Sequence, residues 1–456
     1  MPITTLSLFL EKMTQRGAND KLKTQFVSLY TRYLSGETGQ VVWEEVEQLE
    51  DSDLIPLETL PEHYRRLGEK AISKWGVVKL NGGLGTSMGC KGPKSIIPIH
   101  ETQTFLDIIA DQVKDLQTHY GVKIPLILMN SVATSEDTKL ALSGKLAFTE
   151  LIQNDFPRVD VLSKDPFSCP HDRSQEWSPA GHGDFYLSLV ESGLLDQLIS
   201  QGIEYLFISN ADNLGPSFEP RILGYMEEHG CDFVMETTPK TKLDVKGGTL
   251  IRHGGRLELL ERAQVPEAHI PEFEDITQFH VFNTNNIWVR LSAIKRLYAN
   301  PVLLPLIVNP KKIEGHPVVQ LESAIGSALT FFDQSVSIVV GRDRFLPVKK
   351  TSDLMVIKSD LVQKNENKTL EFGSETLLHA GYPDIRLSEH FQDMASFNRR
   401  IQAMPSLKGI EQLVLDGDIV IGPGVSFKGT VSIKVLPGKS VYLENQTFEN
   451  QTLIFD

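Results

Sequence analysis

The chain has 456 residues, 41% of them hydrophobic and 23% charged, with a formal net charge of -14. This is the composition of a globular protein long enough for one large domain with appended pieces, or for two to three domains. The acidic balance excludes nucleic acid as a general partner, because phosphate-backbone binding needs a basic face, and it leaves any anionic substrate to a few local lysines. Cys90, Cys169 and Cys231 are widely spaced and odd in number, with no C-x-x-C pair. That pattern argues against a disulfide framework or a zinc site and fits a reducing cytoplasm. No stretch approaches the roughly 18 apolar residues of a membrane span, and the first ten residues lack a secretory leader's pattern, so no membrane contact is expected.

In chain order, residues 1–66 read as a separate helical segment. Leu6, Phe9, Leu10 and Met13 fall at helical spacing, and Leu22, Phe26, Leu29, Tyr30 and Tyr33 repeat the pattern until Gly36 ends it. An acidic stretch, residues 44–53, follows. Residues 67–385 alternate short apolar runs with amphipathic helices: strands at 77–80, 124–129, 205–209, 233–236 and 280–282, and a helical face at Phe105, Ile109, Val113 and Leu116 that Gly121 can close. Thr134 or Ser135 is positioned to cap the helix after 129. Such alternation implies an α/β domain with a mixed, mainly parallel sheet and a ligand site at the carboxyl ends of its strands. Asn81, Asn210, Asp212, Asn283 and Asn285 each stand just past an apolar run, where such a sheet puts its site.

Residues 386–456 differ in kind. Leu413, Ile419, Val425 and Val431 recur every sixth residue, and Leu415, Ile421, Phe427 and Ile433 repeat the spacing two positions on. A constant period of six with paired apolar positions predicts a short parallel β-helix. Its edge is open either to a second subunit or to cover by the chain itself.

The densest chemistry lies at residues 77–98. A strand runs into a loop carrying Gly82, Gly83, Gly85, Gly89 and Gly92 with Lys91 and Lys94. Glycines that take positive φ or leave no Cβ in the way let backbone N–H groups turn onto an anion, and the lysines add point charges. Pro93 interrupts before a helix can start, against a dinucleotide fingerprint, and G-x-x-x-x-G-K-[ST] does not occur. His182 sits between two glycines in Gly181-His-Gly-Asp184, a frame compatible with either a structural histidine or a ligand contact. Asn210-Ala-Asp-Asn213 ends a strand, where Asp212 can hold Mg²⁺ as a hard oxygen ligand or simply form a turn. Gly248, Glu261, Asn283 and Asn285 offer the carboxylate and amide groups that a ring of sugar hydroxyls requires. Lys349 follows Pro347 in a short extended run that can aim its ammonium into a phosphate site.

Lys79-Leu-Asn-Gly-Gly-Leu-Gly-Thr86 and Lys91-Gly-Pro-Lys-Ser95 resemble the nucleotide-binding loop of the eukaryotic-type UTP–glucose-1-phosphate uridylyltransferase family. The related UDP-N-acetylhexosamine pyrophosphorylases typically begin this loop with alanine and carry an arginine where this chain has Thr-Ser-Met. The resemblance continues through Gly181-His182-Gly-Asp, with Ala180 where the family usually has proline, and through Asn210-Ala-Asp212-Asn, Lys246-Gly-Gly248-Thr, Glu261 and Phe282-Asn283-Thr-Asn285. It ends at Phe345-Leu-Pro-Val-Lys349, where Lys350 replaces a residue that is commonly threonine. It spans about residues 77–353 and, less specifically, the β-helical tail.

What the resemblance implies is a Rossmann-like nucleotidyltransferase domain and the reversible reaction of UTP with glucose 1-phosphate. It assigns Leu80, Asn81, Gly82, Gly83, Gln153 and Gly181 to the nucleotide, and Lys94 to the triphosphate. Asp212 goes to Mg²⁺, Lys349 to the α-phosphate and the entering phosphate, and His182, Asn210, Gly248, Glu261, Asn283 and Asn285 to the sugar phosphate. Two alternatives stay open: another sugar 1-phosphate, such as galactose or N-acetylglucosamine 1-phosphate, and a non-catalytic UDP-sugar sensor. A sensor would be expected to lose a charged phosphate contact, and Lys94, Asp212 and Lys349 are all present.

Overall fold

The computed structural model describes residues 3–100, 103–242, 244–299, 302–364, 370–373 and 382–456. In chain order its main elements are α1 (Ile3–Gln15), α2 (Asp20–Leu34), β1 (Leu54–Pro56), α3 (Glu62–Ala71), β2 (Trp75–Asn81), α4 (Phe105–Tyr120), β3 (Leu126–Asn130), α5 (Ser135–Leu142) and β4 (Thr149–Ile152). There follow α6 (Phe185–Glu191), β5 (Tyr205–Asn210), α7 (Pro220–His229), β6 (Phe233–Pro239), β7 (Thr249–His253), β8 (Arg256–Leu260), β9 (Val281–Arg290), β10 (Ser335–Val339) and α8 (Thr351–Lys358).

Eight strands form the central sheet in the order β1-β10-β6-β9-β5-β2-β3-β4. All neighbours run parallel except at β9, which is antiparallel to both β6 and β5. The apolar runs of β2, β3 and β5 are continuous because both faces are covered: Val77 packs into one core with Phe105, Phe207 and Trp288, and Val78 into another with Ile127, Phe185 and Ile208. Thr104 and Asp107 close a capping box on α4, and Gly121, at φ 66°, ends that helix. Thr134 stands at the N-cap of α5, but its hydroxyl accepts from the Ser131 N–H (3.0 Å) and caps nothing in the helix.

The leader, read from sequence as separate, is woven into this body. The apolar faces of α1 and α2 meet through Phe9, Phe26 and Tyr30 and bury against Phe156, Val159 and Leu321. β1 is an edge strand of the central sheet, a three-residue element too short to show a period. The acidic stretch docks on β7 through Asp53, whose carboxyl Arg252 holds below its usual pKa.

The C-terminal strands are β11 (Asp384–Leu387), β12 (Ile410–Asp416), β13 (Asp418–Ile421), β14 (Ser426–Val435), β15 (Ser440–Leu443) and β16 (Thr447–Phe455). β11-β12-β14-β16 and β13-β15 are two parallel stacks. Leu413 pairs with Val431 and Leu415 with Ile433, three six-residue steps along, so each coil has three short faces. All eight periodic residues are buried, and they join the core that covers one face of the central sheet. This is a parallel β-helix.

Candidate functional site

A cleft of about 340 Å³ opens at the carboxyl ends of β2 and β5. Leu80, Asn81, Gly82, Gly83, Lys94, Gln153, His182, Asn210 and Asp212, nine of the residues singled out in the sequence, line it together. The glycine loop doubles back on itself: Gly85 N–H donates to Gly92 O (3.2 Å) and Lys94 N–H to Gly83 O (3.3 Å). Lys94 thereby returns beside the strand end that began the loop, and its Nζ meets Asp212 Oδ2 at 2.8 Å.

The glycines serve close approach more than positive φ. Of the five, only Gly89 lies in the left-handed region, at 70°. A Cβ on Gly82 would come within 2.7 Å of Gln153 Oε1, and one on Gly85 within 2.7 Å of Cys90 Cβ. Asn81 donates its amide protons to Asn130 Oδ1 (2.7 Å) and Thr138 Oγ1 (2.9 Å), so its main chain is what fronts the cleft.

The loop after β5 is pinned to the segment that carries Lys349. Asn213 Oδ1 accepts from Leu346 N–H (2.8 Å), and Asp212 O accepts from Val348 N–H (3.1 Å). Lys349 follows directly, and the Asp353 carboxylate accepts the N–H groups of both Lys349 and Lys350 (2.7 and 2.9 Å), fixing the start of α8. Below this join lies a buried pair absent from the sequence reading. Arg344 bonds Glu236 through Nε (2.9 Å) and Nη2 (2.5 Å), while Trp288 Nε1 (2.8 Å) and Asn286 Nδ2 (3.0 Å) donate to the same carboxylate. Glutamate in the middle of an apolar strand was the available signal, since a charge there needs a partner. Lys79 was likewise missed as a buried group. Only 2% exposed, it donates to Ser209 Oγ (2.7 Å), and its pKa falls to about 7, first through burial and then through Arg344.

Asn283 and Asn285 do not sit past a strand end; they lie inside β9. Because β9 runs against its neighbours, its beginning reaches the rim where β5 and β6 finish. A bulge supplies the rest: Thr237 pairs with Asn283 and Glu236 with Asn286, leaving Thr284 and Asn285 without Cα partners. Asn285 takes φ 60°, donates its N–H to Asn283 Oδ1 (2.8 Å) and its Nδ2 to Asn210 Oδ1 (2.9 Å). Beside it, Gly248 O accepts from Asn283 N–H (2.8 Å), and a Cβ on Gly248 would strike the Glu261 carboxylate at 2.7 Å. Burial raises the Glu261 pKa, and the charge of Lys349 moderates the rise. Gly248, Glu261, Asn283, Asn285 and Lys349 are thus a second cluster, joined to the cleft through Asn210.

The remaining wall is clamped from behind. Gly181, at φ 84°, leaves room for Ser323, whose carbonyl accepts from Gly183 N–H (2.9 Å). His182 Nδ1 accepts from Ile325 N–H (2.9 Å), which puts the ring proton on Nε2. The ring is exposed to the open cleft, and the protein packed around its other side lowers its pKa from 6.5 to about 4. Asp184, fully buried, accepts from Asn154 N–H (2.8 Å) and Ser188 Oγ (2.6 Å) and so holds Gln153 and His182 on one wall.

A family model described as UTP–glucose-1-phosphate uridylyltransferase matches residues 23–428. The chain belongs to that family. Among uridylyltransferase relatives of that name, the protein of Musa acuminata is 41% identical over 99% of this chain and 98% of its own length. That of Hordeum vulgare is 40% identical over 94% of this chain and 93% of its own. Among solved structures, the UDP-glucose pyrophosphorylase of Leishmania major in complex with UDP-glucose is 30% identical with a TM-score of 0.91, covering both chains fully. The Trypanosoma brucei structure described as UDP-glucose phosphorylase is 34% identical with a TM-score of 0.89, over 99% of this chain and all of the other. Membership in the uridylyltransferase family thus extends over the leader and most of the β-helix as well as the cleft.

Proposed function

We propose that this protein transfers the uridylyl group of UTP to glucose 1-phosphate, giving UDP-glucose and pyrophosphate, reversibly. The observation that carries the reading is the single cleft in which the glycine loop, the Lys94–Asp212 pair, Gln153 and His182 converge, with the Asn283–Asn285 cluster at its rim. The main chain of Leu80, Asn81, Gly82 and Gly83, with Gly181 and the Gln153 amide, holds the uridine. Lys94 leaves Asp212 for the triphosphate. His182, Asn210, Gly248, Glu261, Asn283 and Asn285 hold the sugar phosphate.

No protein base is needed, because the sugar phosphate is already an anionic nucleophile near neutral pH. Its oxygen attacks the α-phosphorus in line, the new P–O bond forms as the bond to pyrophosphate breaks, and the electron pair leaves on pyrophosphate. The protein's part is charge: Lys349 on the α-phosphate and entering phosphate, Lys94 on the departing end. Asp212 suits Mg²⁺, being a hard oxygen donor at a strand end whose ion-pair partner, Lys94, has phosphate to go to instead. Bound Mg²⁺ supplies charge neutralisation across the phosphate oxygens that two lysines in an acidic protein cannot.

The chemistry belongs to residues 67–385, with residues 1–66 and 386–456 as supporting segments and the β-helix edge as the place for any self-association. The three cysteines, none of them disulfide-bonded, support a reducing cytoplasmic setting. Among the described residues no helix is long and apolar enough to cross a membrane.

Mixing the protein with UTP, Mg²⁺ and a panel of sugar 1-phosphates while following pyrophosphate tests the reading. Glucose 1-phosphate is expected to turn over fastest. No pyrophosphate with any sugar would return the protein to a sensor, and a faster galactose or N-acetylglucosamine substrate would rename it. Chelation should abolish turnover, and Asp212→Asn should recover in part at high Mg²⁺. Full activity in EDTA would remove Asp212 from metal binding.

A further inference from the structure

Outside the residues that line the cleft, Cys169, His171 and Glu314 bring a sulfur, a nitrogen and an oxygen donor together within 4.8 Å. The cysteine spacing that argues against a zinc site speaks only to sites built mainly from cysteine. This cluster is a Cys-x-His pair completed by a residue from a distant hairpin, Ile307–Ile313 with His316–Glu322, and only the fold assembles it.

Each donor is held by its own device. Cys169 is buried and packs with Phe167 and Val318 against Ile313 of the hairpin, while its N–H donates to Glu176 Oε1 (3.0 Å). Glu314 occupies the hairpin's two-residue turn with Gly315, at φ 50° and 84°, a left-handed position that asparagine, aspartate or glycine normally takes. The hairpin is tied to the same region by His316, which bonds Asp160, and by stacking of His316 on Phe167. A single nitrogen, His171 Nε2, faces both Cys169 Sγ (3.6 Å) and Glu314 Oε1 (2.9 Å).

A tetrahedral zinc-class ion, with bonds of about 2.3 Å to sulfur and about 2.0 to 2.1 Å to nitrogen and oxygen, sets its donors roughly 3.4 to 3.6 Å apart. The sulfur–nitrogen separation already has that value. The nitrogen–oxygen separation needs to open by about half an ångström, which the exposed Glu314 side chain can supply by a small torsion.

We propose that Cys169, His171 and Glu314 bind a zinc-class divalent transition-metal ion, with water in the fourth position. The ion takes the place of the proton that His171 shares with Glu314 and releases the thiol proton of Cys169. Its occupancy ties the segment before Trp177 to the hairpin. The far end of that hairpin runs into Ser323 and Ile325, which clamp Gly183 and His182.

Cobalt(II) added to chelator-treated, full-length protein tests the site. One equivalent should give a near-ultraviolet thiolate-to-cobalt band that zinc bleaches. The band should vanish in Cys169→Ser and persist in Cys231→Ser and in Asp212→Asn. His171→Ala and Glu314→Gln, on exposed side chains, carry the test if Cys169→Ser does not fold. Each should weaken binding by more than the about 10- to 100-fold that loss of an outer-shell partner typically costs. Zinc should also slow amide hydrogen exchange across residues 313–318 in the wild type but not in His171→Ala. Absence of the band at stoichiometric cobalt, or a band unaltered by His171→Ala and Glu314→Gln, would overturn the site.

Discussion

The two walls of the cleft are built on opposite strand directions. On one, parallel β2 and β5 end and release loops, so Gly82, Gly83 and Asp212 come as contiguous stretches of chain. On the other, β9 runs the reverse way and has to deliver Asn285 from within a strand, through a bulge and a left-handed residue. The first wall needs only a strand and a loop. The second also needs a scaffold that fixes the bulge, and the Glu236–Arg344 pair lies at that point: Asn286, one residue past Asn285, donates to both Glu236 Oε2 and Arg344 O. Loop-borne groups are specified locally, whereas strand-borne groups depend on what is buried beneath them.

The strongest test of that contrast removes the buried scaffold. Arg344→Ala would leave the Glu236 carboxylate, 0% exposed, with only neutral donors. Breaking a buried pair from one side costs about 3 to 5 kcal/mol, and urea unfolding should register it. Sugar 1-phosphate binding should suffer more than UTP binding, because Asn285 is the nearer dependant. A loss under about 1 kcal/mol, the range of an exposed pair, would mean that the walls are set independently.

Lys349 stands where the two walls meet, next to the Asp212 loop and within electrostatic reach of Glu261. In the proposed reaction its charge would matter most as charge builds in the transition state. Lys349→Ala should therefore lower kcat by roughly 10²- to 10³-fold with a much smaller change in KM. Steady-state kinetics on Lys349→Ala and Lys350→Ala decide between the neighbours; a larger loss in the second would transfer the role.

How legible these parts were in the sequence follows the same division. The glycine loop, Asn210-Ala-Asp212 and the six-residue period of the β-helix are local patterns, and the structure lays each out over the residues that carry it. Asn283 and Asn285 were singled out, but as residues beyond a strand, because neither a bulge nor an antiparallel direction has a periodic signal. Glu236 and Lys79 went unread since a charge in an apolar run announces a partner without naming it, and Arg344 because it ends the polar stretch Gly341-Arg-Asp-Arg344, which carries no sign of burial. β1 escaped because three residues cannot show a period of two, and the trio of Cys169, His171 and Glu314 because its members are distant in the chain.

A smaller effect sharpens the comparison at the rim. Asn285→Ala removes the part-buried hydrogen bond to Asn210 and the groups facing the proposed sugar, at about 1 to 3 kcal/mol where the bound sugar would cover the partner left unsatisfied. Calorimetric titration should show weaker sugar 1-phosphate binding with UTP affinity almost unchanged. Equal weakening toward both ligands would place Asn285 in a support shared by the two walls.

The smallest effect concerns His182 and works through protons. Its pKa, about 4 in the folded protein against an ordinary 6.5, means that the unfolded chain binds a proton that the folded chain refuses across that interval. The contribution to stability is therefore complete above pH 6.5, declines as pH falls toward 4 and changes no further below it. Replacing the ring with a side chain that cannot titrate should flatten this part of the stability profile, so the urea midpoint of wild type should fall relative to that of His182→Gln as pH is lowered through the window. Solvent in the open cleft weakens the shift, so the difference should be modest. For activity, the neutral ring keeps its Nε2–H as a donor throughout the physiological range, and no inflection in kcat/KM between about pH 6 and 8 should be traceable to it. Parallel stability profiles for the two proteins would mean that the ring is solvated as on an open surface, and the Ile325 N–H bond to Nδ1 would then be too weak to fix its tautomer.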